Sequence, residues 1–81
     1  MKLRKGKANY KMPPYSEILN AVVGMDGPFF HLQRVRDISS ERNKVGEPRF
    51  FALSENGIEI APKPIKGGKL IVRFVPPVQE V

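Results

Sequence analysis

The sequence predicts a small single domain of the α+β class, in which one short N-terminal helix packs on an antiparallel β-sheet of three to four strands. The length of 81 residues limits the chain to one hydrophobic core, because a domain of this size buries only somewhat more than about 60% of its unfolded surface. An apolar fraction of 41%, with five Phe and two Tyr, is enough to form that core. The apolar residues are spaced as in a helix near the N-terminus and alternate as in strands over the C-terminal half.

Three regions are expected along the chain: a flexible basic arm over residues 1–12, the folded domain over residues 13–76 and a C-terminal tail over residues 77–81. Pro13 and Pro14 mark the first boundary, because a proline restricts the residue before it to extended conformations. The arm contains little apolar surface, so we expect that it contributes little to folding.

The segment SEILNAVVG predicts a helix near residues 16–23. Ser16 can cap its N-terminus, and Gly24 can end it in a left-handed conformation. Glu17 is favourably placed at the positive end of the helix dipole. The apolar stripe of this helix would consist of Ile18, Leu19 and Val22. At two turns, such a helix requires tertiary packing to be stable.

Residues 28–38 fit either a strand or a helix. As a strand, they place Phe30, Leu32 and Ile38 on one face and Phe29, His31, Gln33 and Val35 on the other. As a helix, they would begin at Pro28 and align Phe29, Leu32 and Val35 at a spacing of three. The two adjacent Phe and the alternation of charge near Arg34 and Arg36 favour the strand.

A β-hairpin over residues 49–61 is the clearest local prediction. Two short β-prone runs, RFFALS and IEIA, flank the dipeptide Asn56-Gly57. This dipeptide tolerates the positive φ angles that a tight hairpin turn requires. Glu59 is expected to lie on the face that points away from the core.

The stretch PRFFALSENGIEI also resembles the wing of winged-helix DNA-binding proteins, in which an aromatic-rich strand runs into a Leu-Thr-x-x-Gly-like segment. Here that segment is Leu53-Ser54-Glu55-Asn56-Gly57. The resemblance implies an upstream helix-turn-helix whose second helix lies in the major groove, and therefore a DNA-binding regulator. The nine residues SSERNKVGE, which precede the wing-like strand, are too few and too polar to supply a turn and an amphipathic recognition helix. We therefore prefer a plain hairpin.

After the hairpin, the segment PKPIKGG is expected to turn the chain, because Pro62 and Pro64 block ladder pairing and two glycines permit a bend. Residues 69–75 form the predicted last strand, which Pro76 and Pro77 end. One face of this strand carries Lys69, Ile71, Arg73 and Val75. The residues predicted to be mostly buried are Phe51, Leu53, Ile58, Ile60, Leu70, Val72 and Phe74.

No pattern indicates catalysis, so we expect a protein that is not an enzyme and has no cofactor or metal. The absence of cysteine excludes disulfides, thiolate metal sites and a cysteine nucleophile. His31 is the sole histidine and has no metal ligand or catalytic partner near it in sequence. The segment IKGGKL lacks the spacing of a phosphate-binding loop. Without an apolar run of about 20 residues, the chain is expected to be cytoplasmic and to have no membrane partner.

The net charge of +6 is distributed unevenly. Residues 1–11 carry five basic residues and no acid, residues 12–59 carry five basic and seven acidic residues, and residues 60–81 carry four basic and one acidic residue. A polyanion site is therefore expected at the two ends of the chain and not in its middle.

These observations predict a small non-catalytic nucleic-acid-binding protein that contacts DNA or RNA through its basic arm and a sheet surface. The cations would hold phosphates, and the aromatic rings would stack on bases. The predicted binding residues are Lys2, Arg4, Lys5, Lys7, Tyr10, Lys11, Phe29, Lys63, Lys66, Lys69 and Arg73. The alternative is a protein-interaction subunit that docks a partner, or a second copy, through a strand edge and the tail VPPVQEV.

Overall fold

A computed structural model describes residues 1–55 and 57–77, and within them the chain forms ten short β-strands and no helix. The α+β prediction is therefore wrong, and the protein is a small all-β domain. The strands are β1 (Lys2–Leu3), β2 (Asn9–Lys11), β3 (Glu17–Gly24), β4 (Phe30–His31), β5 (Gln33–Arg34), β6 (Val45–Gly46), β7 (Phe50–Ser54), β8 (Gly57–Ala61), β9 (Lys63–Pro64) and β10 (Gly68–Val75).

The strands of the described residues form two four-stranded sheets and one small two-stranded sheet. The first sheet has the order β1-β10-β3-β4, and the second has the order β2-β8-β7-β5. Strands β6 and β9 form the third sheet. The pairs β5–β7 and β6–β9 are parallel, whereas the other pairs are antiparallel. Both four-stranded sheets contribute side chains to one core, which includes Leu3 and Leu70 from the first sheet and Phe51 and Ile58 from the second.

The predicted helix over residues 16–23 is instead strand β3, which pairs with β10 along its length. A β-bulge explains the error. The register shifts so that Arg73 faces Asn20 while Phe74 faces Ile18, which leaves one extra residue in β3. The buried residues Ile18 and Ala21 are consequently three positions apart, a spacing typical of a helix.

Ser16 and Gly24 also have other roles than those of helix caps. The backbone N–H of Ser16 donates to the carbonyl of Val75 at 2.8 Å and so extends the ladder between β3 and β10. Gly24 ends β3 in extended backbone, and a Cβ at this position would lie 2.7 Å from the ring of Phe29. The glycine is therefore required for the close approach of that ring and not for a left-handed turn.

Residues 28–38 are extended, as the strand interpretation predicts. Leu32 is buried in the main core and His31 and Gln33 are exposed, as the predicted faces require. Ile38 is buried in a separate cluster, against which Val35 of the opposite predicted face packs, so the prediction of the two faces is wrong beyond residue 33. The segment is not one strand, however. Strand β4 pairs with β3 of the first sheet and β5 pairs with β7 of the second, with Leu32 at the crossing. The N–H of Leu32 donates to the Ala21 carbonyl of β3 at 2.9 Å, and the N–H of Gln33 donates to the Arg49 carbonyl, just before β7, at 2.8 Å.

The hairpin is confirmed as the antiparallel pair β7–β8, with Phe51 opposite Ile60 and Leu53 opposite Ile58. Asn56 of its turn lies outside the described residues. Glu59 is partly buried on the outer face. Strand β10 is confirmed as well. Of the residues predicted to be mostly buried, the structure buries Phe51, Ile58, Ile60 and Leu70, and it half-buries Leu53, Val72 and Phe74 against the core.

The prolines of the PKPIKGG segment were expected to block pairing, and this prediction is wrong because Pro64 lies in β9 and pairs with β6. Its missing N–H is not required there. The N–H of Lys63 donates to the Lys44 carbonyl, just before β6, at 2.8 Å, and the N–H of Ile65 donates to Gly46 of β6 at 3.1 Å. The Pro64 carbonyl accepts from the N–H of Gly6 at 2.8 Å. A parallel ladder of this length therefore tolerates proline at the position that donates nothing.

The first twelve residues, expected to form a flexible arm, contain strands β1 and β2. Leu3 is fully buried in the core, and Tyr10 is 6% exposed. Two apolar side chains separated by six polar or small residues do not produce a periodic pattern. The high charge of this segment therefore led to the prediction of a flexible arm in place of two strands. Of the predicted tail, residues 78–81 lie outside the part of the chain that the structure describes.

The winged-helix alternative requires a recognition helix, and residues 1–55 and 57–77 contain none. The hairpin that resembles a wing is an inner pair of the second sheet, between β2 and β5. None of the described residues belongs to a helix with the length and hydropathy of a membrane span.

Candidate nucleic-acid interface

The outer face of the first sheet is the surface on which several predicted binding residues meet. We call it the open face and define it by Lys2, Phe29, His31, Lys69, Ile71 and Arg73. Side chains directly opposite one another in a ladder lie on the same side of the sheet. The register can therefore be followed across β1, β10, β3 and β4, one row of side chains at a time.

The first row of the open face joins Lys2 of β1, Lys69 of β10 and the ring of Phe29. Lys2 is the ladder partner of Lys69, and Lys69 in turn faces Gly24 of β3. The outward position of Gly24 is occupied by the ring of Phe29, which remains 49% exposed. Two cations and one aromatic ring thus lie side by side across three strands.

The second and third rows continue the face along the strands. Ile71 faces Val22, and Val22 faces His31 of β4, so an aliphatic and an imidazole side chain lie in the second row. Arg73 faces Asn20 in the third row, next to the bulge. His31 and Arg73 are exposed, and Ile71 is 41% exposed.

The cations of the open face have no ion-pair partner among the described residues. The ion pairs of the described residues lie elsewhere and join Arg42 to Glu59, Lys44 to Glu41, and Lys66 to Asp26. Lys2 and Lys69 therefore face each other without a carboxylate between them, and they line one shallow depression with Met1 and Ile71. The N–H of Leu70 donates to the Met1 carbonyl at 2.9 Å and continues the ladder that holds them in register.

The structure separates Tyr10 from the site and gives it a structural role. Its ring is buried in the core, and its hydroxyl donates to the Lys7 carbonyl at 2.8 Å and accepts from the Arg4 N–H at 3.0 Å. The Lys7 ammonium lies 5.2 Å from the centre of the ring. Tyr10 therefore fixes the turn between β1 and β2 and presents no free face for a base.

The remaining predicted cations do not lie in the rows of the open face. Lys7 and Lys11 line a depression beside β2, at the edge of the second sheet. Lys66 is paired with Asp26, and Lys63 lies in β9. Lys5 and Arg4 lie on the exposed turn that follows β1. The predicted set thus divides into the open face and a dispersed group.

Two residues of the open face, His31 and Ile71, were not among the predicted binding residues. The signal for both was present in the alternation, which places His31 on one face with Phe29, and Ile71 on one face with Lys69 and Arg73. The sequence does not show the register by which β3 pairs with both β10 and β4 and so places these residues on one face.

The outer face of the second sheet differs because the chain itself covers it. Ile38 is buried against Ala52 and Ala61 of strands β7 and β8. Beside this cluster, Arg42 donates to Glu59 at 2.8 Å, and this hydrogen bond raises the pKa of the guanidinium. Hydrogen bonds from the side chain and backbone N–H of Ser39 lower the pKa of Asp37 in the same covering segment.

Residues 1–55 and 57–77 bring together no group of three or more His, Cys, Asp or Glu that could hold a metal ion. A scan against protein-family models matches no family, and searches of the curated proteins and of the solved structures find no significant match.

Proposed function

We propose that this chain is a non-catalytic nucleic-acid-binding protein whose open face contacts the phosphate backbone through Lys2, Lys69 and Arg73. The observation that supports the proposal most directly is the ladder pairing of Lys2 with Lys69. Like charges placed directly opposite in a sheet are destabilising, and no carboxylate of the described residues relieves this pair. A bound polyanion would relieve it.

The distribution of charge favours a polymeric anion over a small one. Lys69 and Arg73 are four residues apart on one strand, which places their Cα atoms about 13 Å apart. At this spacing the two side chains can contact different phosphates of one strand, whereas a small anion supplies only one phosphate. Binding of this kind displaces counterions from the nucleic acid and therefore weakens as salt rises.

A protein partner is the second candidate, because the same surface exposes aliphatic side chains. Leu19 at the bulge is 58% exposed, and Ile71 and Val75 are exposed as well. Such side chains form the apolar centre of many protein interfaces. This candidate requires a partner whose acidic groups meet Lys69 and Arg73.

The two candidates are separated by a salt titration of nucleic-acid binding with the double variant Lys2→Gln/Lys69→Gln. If each lysine contacts one phosphate of a single strand, the slope of log affinity against log salt should become shallower by about 1.4. The matched control is Arg36→Gln/Lys44→Gln, which removes the same charge from the segment that covers the second sheet, and its slope should change less. The absence of binding to DNA or RNA at low salt would contradict the proposal, as would equal slopes for the two variants.

A further inference from the structure

We infer that the open face selects single-stranded over duplex nucleic acid, with successive bases stacked on Phe29 and His31 and the backbone running along the Lys2–Lys69 side. This inference rests on the proposed function and specifies its substrate. It follows from the placement of the aromatic groups, from the spacing of the rows and from the order of the strands.

Phe29 is positioned as a platform and not as a core residue. Its ring occupies the space above Gly24 that a side chain would fill at any other residue. The sheet therefore supports the ring from below, while about half of the side chain remains accessible to solvent. A supported, half-exposed ring next to cations is suited to base stacking, because every base has a face that can pack on an aromatic side chain.

The spacing of the rows fits an unstacked single strand better than a base-paired strand. Phe29 and His31 are two residues apart, and His31 lies in the row next to that of the Phe29 ring. Neighbouring rows of one sheet face are about 6.8 Å apart. Phosphates along one strand of a duplex are about 3.4 Å apart along the helix axis, and the bases are stacked on each other. A strand that places successive bases on Phe29 and His31 must be stretched to about twice that rise, which requires that its bases be unstacked.

The order of the β-strands determines on which side of the open face the nucleic-acid backbone lies. Phe29 and His31 lie over β3 and β4, whereas Lys69 and Lys2 lie on β10 and β1 at the other side of the sheet. Adjacent strands are about 4.8 Å apart, so Lys69 lies one strand and Lys2 two strands from the ring of Phe29. A nucleic-acid backbone that follows β10 and β1 can therefore point its bases toward β3 and β4.

The test compares affinities for a short single-stranded DNA, the same DNA as a duplex, and a single strand of equal length with abasic sites. The variant Phe29→Leu retains an apolar side chain above Gly24 but removes the aromatic face, and Phe29→Tyr retains the ring as a control. Thermal unfolding of both variants establishes that they are folded before their affinities are compared.

We expect the intact protein to prefer the single strand over the duplex. Phe29→Leu should lose on the order of 10-fold in affinity for that strand, with an unchanged salt slope, whereas Phe29→Tyr should lose little. The leucine variant and the intact protein should bind the abasic strand equally. Equal affinity for duplex and single strand, or an equal loss on the abasic strand, would overturn this inference and leave the proposed function standing. No binding to any of the three would overturn both, and would favour the protein partner.

Discussion

The two four-stranded sheets of this domain have the same alternation of side chains, but the outer face of the second sheet is covered by the chain and that of the first sheet is not. On the second sheet the outward positions of β7 and β8 include Ala52 and Ala61, which are small enough for Ile38 to be buried on them. On the first sheet the outward positions of β10 are Lys69, Ile71, Arg73 and Val75, and no other segment of the described chain buries them. Covered surface contributes to stability, whereas uncovered apolar and cationic surface is available to a ligand.

The charges follow the same division. On the covered side, Arg42 is paired with Glu59, and Lys44 with Glu41, so that each of these cations has a carboxylate of its own. On the open side, Lys2 and Lys69 repel each other across a ladder. The pair of Arg42 with Glu59 joins the covering segment to β8, whereas Lys2 and Lys69 have no ion-pair partner among the described residues.

The largest expected effect is a difference in the free energy of unfolding between a truncation on the covered face and one on the open face. Ile38→Ala removes a buried side chain and leaves a cavity over Ala52 and Ala61, so the free energy of unfolding should fall by about 2–5 kcal/mol. Ile71→Ala truncates a half-exposed side chain of the same kind and should change it by less than about 1 kcal/mol. Urea denaturation of both variants measures the difference. Equal losses would mean that the open face is also covered.

Much of this contrast could be predicted from the sequence where alternation was unbroken. The strand β10, the hairpin β7–β8 and the two faces of residues 30–33 followed from period-two patterns. The alternation in β10 also predicted a buried face with Leu70 and an opposite face with Lys69, and the burial of these two residues confirms that division.

The rest could not be predicted because it depends on pairing between distant segments. The bulge in β3 converts a strand pattern into a helical spacing, and only the register with Arg73 and Phe74 reveals it. Leu3 and Tyr10 enter the core because β1 joins β10 and β2 joins β8, over separations of more than 40 residues. The open face likewise exists only because Lys2 is brought next to Lys69 by that pairing.

A smaller effect is expected on the open face, where one substitution should raise the stability of the protein and lower its affinity for nucleic acid. Lys2→Glu places an acid opposite Lys69 and replaces a repulsion by an attraction, so the protein should become more stable by up to about 1 kcal/mol. The same change should weaken nucleic-acid binding, because it removes one phosphate contact and adds a negative charge. Thermal unfolding and a binding titration on one preparation measure both effects. A variant that gains stability and keeps its affinity would place the ligand elsewhere on the molecule.

The smallest expected effect concerns the covering segment and its response to acid. The Ser39 side chain and backbone N–H donate to the Asp37 carboxylate and lower its pKa below the ordinary value, with a backbone N–H distance of 2.9 Å. Because the folded pKa is the lower one, the stabilisation is fully present above the unfolded pKa of about 3.9 and is lost as the pH falls through the folded value. A titration of the Ser39 amide shift by NMR should therefore show a midpoint below about 3.9, and Asp37→Asn should abolish that step. The amide shifts of Lys69 and Ile71 on the open face should show no step at the same pH. A common midpoint on both faces would mean that acid unfolds the whole domain and not only the covering segment.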